Sequence, residues 1–107
     1  MARNIDNITR HAEVSEKAIE KYLGEQVTDI RGICLKYTNS NVTGFPDRLV
    51  CLPGGHIAWV ELKSKGKKPT RLQGIRHQQL RNLGFNVHVI DSKQGVDELI
   101  GKWRDEL

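Results

Sequence analysis

The chain has few cysteines and no pattern that puts them to chemical use. Cys34 and Cys51 are the only two in 107 residues, and no Cys-x-x-Cys pair or His/Cys cluster occurs. Each lies in an apolar, strand-like run, so both are expected as small buried residues, with no disulfide and no zinc site. No apolar stretch of signal-peptide or membrane-spanning length is present, and the amino terminus is polar. A soluble, intracellular protein follows as the expectation, with neither a membrane nor a small-molecule cofactor as partner. Internal repeats and low-complexity segments are also missing, and the length suffices for one domain with one modest core. Residues 1–11 are polar and aperiodic and are expected to be loose, which leaves 12–107 as that domain.

A further absence is local. Between Leu62 and Arg81 there is no acidic residue, while Lys63, Lys65, Lys67, Lys68, Arg71, Arg76 and Arg81 are basic. The whole chain carries +4 with a pI near 9.3. A concentrated basic block is what contact with a phosphate backbone needs. The competing reading is a solvated loop whose charges only keep the protein soluble.

Periodicity supplies the elements. Ala12, Ile19, Tyr22, Leu23, Val27 and Ile30 are spaced for one buried stripe of a helix over about Ala12 to Ile30. On a helical wheel Glu16 projects into that stripe and Glu20 lies at its edge. A carboxylate facing a core is costly without a partner, so either can be aimed at a metal, or both can be surface residues in local ion pairs. Ile33 to Tyr37 is a first strand, and Thr38 to Gly44 a polar loop. Thr70-Arg-Leu-Gln73 fits a capping box that opens a second helix with Leu72, Ile75, Leu80 and Leu83 as its apolar side and Gly84 as its left-handed C-cap. His77 follows Gln73 by one turn on the same face, and a lone histidine there is more often packing or surface than catalysis. Phe85 to Ile90 is another strand. A final amphipathic helix carries Val96, Leu99, Ile100, Trp103 and Leu107, and Trp103 either closes the core or belongs to an interface.

Residues 44–70 are the centre of the chain. Leu49 to Leu52 and Ile57 to Val60 are apolar runs around Pro53-Gly54-Gly55, which reads as a β-hairpin. Counting outward from the turn brings Asp47 near Glu61, and alternation puts Lys63 on the face of Glu61. Two close carboxylates repel each other and invite a hard divalent cation with oxygen ligands. A lysine beside them can serve an attacking water or a developing oxyanion. The element order α-β-β-β-α-β-α predicts an antiparallel three-strand meander, then a crossover that sets the fourth strand parallel to the third. The fold class is α/β, a small mixed sheet flanked by helices.

These residues resemble the PD-(D/E)xK nuclease superfamily, whose restriction-endonuclease-like core has this element order. Pro46-Asp47 followed by Glu61-Leu62-Lys63 matches its motif. Within it, the chain looks like a stand-alone VRR-NUC domain of the phage and bacterial type. The matching positions are Glu16 to Glu20, Gly44 to Arg48, Glu61 to Lys63, and Leu72-Gln73 opening a helix. The resemblance covers roughly Ser15 to Leu99. It implies a Mg²⁺- or Mn²⁺-dependent DNA endonuclease of a bacterial or phage-encoded kind, acting inside the host cell. Asp47 and Glu61 would be the metal ligands with the Leu62 carbonyl, and Lys63 would serve the water. Glu16 or Glu20 would complete the site, with Gln73 in support. Lys65, Lys67, Lys68, Arg71 and Arg76 are the candidate DNA contacts. The resemblance further implies a homodimer acting on branched DNA in the manner of a Holliday-junction resolvase. Two alternatives stand beside it: a non-catalytic DNA-binding or assembly subunit, and a nickase or end-processing nuclease with a larger partner.

Overall fold

The computed structural model describes residues 15–107. The expected loose terminus and the part of the first helix near Ala12 lie outside the described residues. Ser15 caps α1 (Glu16–Asp29), its hydroxyl accepting the Ala18 N–H at 3.1 Å. Ile19, Leu23 and Val27, one helical turn apart, are fully buried. The buried stripe starts at Ile19, so Glu16, in the first turn, is exposed and does not enter the stripe as the wheel predicts. None of the described helices is long and apolar enough to cross a membrane.

The strands β1 (Ile33–Lys36), β2 (Arg48–Leu52) and β3 (His56–Leu62) form the expected antiparallel meander. Pro53–Gly55 makes the tight connection between β2 and β3. Gly54 and Gly55 have φ of 82° and 79°, which side chains rarely adopt. The helix α2 (Arg71–Asn82) crosses over to β4 (Asn86–Ile90), which pairs in parallel with β3, and α3 (Lys93–Glu106) follows. The sheet order is β1-β2-β3-β4, so β3 is an interior strand.

The register gives the sheet two different faces. On one, Val50, Leu52, Ala58, Val60, Leu62 and Ile90 meet α1 and α3 in a single apolar core. Trp103 is 4% exposed inside that core, so it closes the core and is not available to an interface. Cys34, facing this core, and Cys51, facing away from it, are free and only half-buried. On the other face, Ile33, Cys51 and Ile57 make one row and Leu35, Leu49 and Trp59 the next.

The second helix lies over that other face, and its inward side differs from the expected one. Leu72, Ile75 and Leu83 are exposed, while His77 and Leu80 are buried. Gln73, Arg76, His77 and Leu80 are spaced three, one and three apart and form the inward stripe, which is mostly polar. Gly84 has φ 97° and ends the helix as the sequence suggests, with the Phe85 N–H donating to Leu80 O at 3.0 Å.

Candidate active site

The hairpin register places the carboxylates. Cys51 pairs with Ile57 and Arg48 with Val60, and extending this by one residue sets Asp47 opposite Glu61. On the far side the Tyr37 N–H donates to Asp47 O at 2.7 Å, so the row under the second helix runs Tyr37, Asp47, Glu61. The chain reaches Asp47 through Pro46, which is fully buried. Gly44, with φ 91°, packs so close to the second helix that a Cβ there would stand 2.8 Å from Leu72 Cγ. Glycine is therefore needed where the loop meets the helix.

Glu61 is 1% exposed, at the end of an apolar strand. Asp47 is fixed by the Leu62 N–H, which donates to Oδ2 at 2.8 Å. Gln73 and His77 close on Glu61 from the second helix: Gln73 Nε2 donates to Oε2 at 3.3 Å, and His77 Nε2 stands 3.1 Å from Oε1. Gln73 also completes the capping box, its Oε1 accepting the Thr70 N–H at 2.9 Å and its N–H donating to the Thr70 hydroxyl at 3.2 Å. The Gln73 amide thus makes both contacts, Oε1 capping the helix and Nε2 reaching Glu61.

The electrostatics follow from this packing. Burial raises the Glu61 carboxyl to about 8, and the hydrogen-bonding, negatively charged Asp47 adds to the rise. The Lys63 ammonium opposes it and Glu16 adds a smaller share. Burial holds His77 below its ordinary value, with Arg81 and then Lys63 adding to the drop. A neutral imidazole therefore faces a carboxyl that is hard to ionise. Among the described residues no group of three or more His, Cys, Asp or Glu converges as a ready metal cage. What converges is a pair of carboxylates with a lysine beside it.

No protein-family model matches the chain. A phage protein named "Putative nuclease p44", from Acyrthosiphon pisum secondary endosymbiont phage 1, is 45% identical over 80 residues, 75% of this chain and 86% of the relative. A solved structure described as a VRR_NUC domain superposes with a TM-score of 0.77 at 37% identity, covering 80% of this chain and 94% of that one. The chain belongs to the VRR-NUC family.

The two glutamates of the first helix of this VRR-NUC domain have different surroundings. Glu20 forms an ion pair with Arg48, whose side chain is 7% exposed, on the face opposite Asp47. Among the described residues Glu16 has no such ion-pair partner, and its charge adds to the rise at Glu61. Adjacent strand residues point to opposite faces, so Arg48, and Glu20 paired with it, lie on the face away from Asp47. Lys65, Lys67, Lys68 and Arg71 are exposed. Arg76 is tied down instead, its Nε donating to Thr43 O at 2.9 Å, its Nη1 to Gln79 Oε1 at 3.1 Å, and its guanidinium lying 5.9 Å from the Phe45 ring centre. It braces the Thr38–Gly44 loop against the second helix. Sequence reasoning alone sets His77 aside, although its place four residues after Gln73 on the same helix face is the signal that leads to it.

Proposed function

We propose that this VRR-NUC domain is a Mg²⁺- or Mn²⁺-dependent DNA endonuclease that hydrolyses phosphodiester bonds, selects branched DNA of the four-way-junction kind, and works as a homodimer. The observation that carries the reading is the pair Asp47 and Glu61, held side by side across two strands with Glu61 buried. Ionising Glu61 there is costly, and a divalent cation within reach reverses that cost. The donors fit a hard cation: two carboxylates and the Leu62 carbonyl are all oxygen, and Mg²⁺ keeps several of its waters rather than demanding a protein cage.

In this reading Asp47 and Glu61 hold the ion, with Glu16 reaching the same site from the first helix. When bound, the ion supplies a water of lowered pKa and polarises the scissile phosphoryl group. Lys63 places a positive charge where the attacking oxygen and the pentacovalent phosphorus gather negative charge. Leu62 N–H fixes Asp47, and Gln73 fixes Glu61. Lys65, Lys67, Lys68 and Arg71 hold the flanking phosphates, which position a duplex without reading its bases. Two identical sites suit two symmetry-related strands of a junction. The part of this sheet face that the second helix leaves exposed supports pairing, with Ile33 at 60%, Leu35 at 47% and Ile57 at 43% exposure.

The test is cleavage of labelled linear, nicked, flap and four-way DNA with and without Mg²⁺, beside light scattering at micromolar protein. Metal-dependent cutting, fastest on the four-way substrate by a dimer, is expected. Cutting of none of the four in Mg²⁺ or Mn²⁺ overturns the nuclease reading. A monomer, or a preference for flaps or nicks, overturns only the junction reading.

A further inference from the structure

The second helix turns the wrong side inward for simple packing. It has leucine and isoleucine at 72, 75 and 83, all exposed, and it buries His77 at 2% exposure in their place. Burying an imidazole is costly without a hydrogen-bond partner, and the partner of His77 is Oε1 of Glu61, the buried carboxylate in the site. The other oxygen of that carboxylate is held by Gln73, one turn earlier on the same helix. We infer that His77 is a positioning residue, donating from Nε2 to Glu61 Oε1 so that the carboxylate is held in one orientation toward a divalent cation.

This rests on the metal reading of Asp47 and Glu61 and adds a residue to it. A carboxylate that ligates a metal is ionised and only accepts hydrogen bonds, with about four lone-pair positions. Gln73 and His77 occupy two of them, on different oxygens, and leave one on each oxygen for the ion. The nitrogen 3.1 Å from Oε1 must then carry the hydrogen, which fixes the imidazole as the Nε2–H tautomer. Clamped at both oxygens, the carboxylate cannot rotate about its terminal bond. Partners that orient a metal-binding carboxylate are commonly worth about 10–100-fold in metal affinity.

The experiment measures Mn²⁺ binding to the whole protein by the loss of its free-ion paramagnetic signal. The variants are His77→Leu, His77→Gln and Asp47→Asn, with thermal melts recorded without metal. Wild type should bind and Asp47→Asn should not. His77→Leu should keep a cooperative melt but bind Mn²⁺ about 10–100-fold more weakly. His77→Gln, whose amide N–H can reach Oε1, should return to within about threefold of wild type, which a merely space-filling role does not predict. Equal Mn²⁺ affinity in His77→Leu and wild type overturns the inference and leaves the metal site standing, as does equal weakening in the leucine and glutamine variants. A wild-type chain that binds no Mn²⁺ overturns both. Should His77→Leu fail to fold, ¹⁵N spectra of the wild-type imidazole with Mg²⁺ decide instead: a hydrogen on Nε2 is required, and one on Nδ1 alone overturns the assignment.

Discussion

The two faces of the sheet are built by the same strands to opposite rules. Under the first and last helices Val50, Leu52, Ala58, Val60 and Leu62 present apolar side chains, and Arg48 on the same face is paired with Glu20. Under the middle helix the apolar rows give way, at the last position, to Asp47 and Glu61, and the helix answers with an amide and an imidazole. One face is packed to hold the fold. The other carries an unfavourable carboxylate that the first face stabilises indirectly, because β2 and β3 are common to both.

The largest effects should separate the faces by kind. Asp47→Asn and Glu61→Gln should each lower cleavage by about two orders of magnitude or more, since a lost metal ligand removes several kcal/mol of transition-state stabilisation. Neither should unfold the chain. Leu23→Ala, on the packed face, should do the reverse: about 2–5 kcal/mol of stability lost, with near-normal cleavage from the fraction that remains folded. Denaturant melts and single-turnover rates on the same preparations check both. Near wild-type cleavage by Glu61→Gln would show that the carboxylate face is not the active one.

The pH dependence of stability should also belong to one face. Glu61 is raised from 4.5 to about 8, so the native state holds its proton more tightly than the unfolded chain does. Its contribution is complete below about pH 4.5 and is lost as pH rises through 8, at about 1.4 kcal/mol per pH unit across that interval. Metal-free protein should therefore lose several kcal/mol over that window, and Glu61→Gln should lose much less. Saturating Mg²⁺ should restore the wild type near pH 8. Parallel pH profiles for wild type and Glu61→Gln would mean that the burial of Glu61 is relieved in solution.

How far the sequence discloses these faces depends on which interaction decides each position. Strand alternation and the Pro-Gly-Gly turn are local, so the hairpin, its register and the meeting of Asp47 with Glu61 are legible without a structure. The parallel β4 follows from the crossover length. Orientation of the helices is not local. The apolar pattern at Leu72, Ile75 and Leu83 points the second helix one way, and the polar partners of Glu61 turn it another. Likewise the wheel directs Glu16 into the core, but the stripe begins only at Ile19. Arg48 pairs with Glu20, and nothing in its own sequence neighbourhood says that Glu20 lies across from it.

Those glutamates give a smaller effect that sharpens the same comparison. Glu20→Ala strands Arg48, which is buried, and should cost about 1–3 kcal/mol. That is below the loss for a fully buried pair, because the Glu20 side chain is 44% exposed and water screens its share. Its metal-dependent rate per folded molecule should stay within a few-fold of wild type. Glu16→Ala should leave the melt unchanged and slow cleavage, most visibly at low Mg²⁺. An inactive but fully stable Glu20→Ala beside an active Glu16→Ala would reverse the assignment.

The smallest effect lies outside both faces, in the loop that leaves β3. Lys65, Lys67 and Lys68 are exposed, and the loop is anchored by the Gly66 N–H to Asp91 Oδ2 at 3.2 Å and by the Lys67 N–H to Ser64 O at 3.0 Å. Its backbone is held while its ammonium groups are left in solvent, an arrangement suited to meeting phosphates without reading bases. Replacing all three lysines by glutamine should leave stability within about 0.5 kcal/mol, since exposed charges away from partners contribute little. Binding should weaken equally across DNA sequences. The slope of log K against log salt should shrink by about 0.9 for each duplex phosphate that is no longer neutralised. Arg76→Gln provides the contrast, because its guanidinium braces Thr43 and Phe45 and should alter the loop more than the salt slope. If the lysine triple variant keeps the full slope and Arg76→Gln loses it, the phosphates are held from the helix, and the loop is only solvated surface.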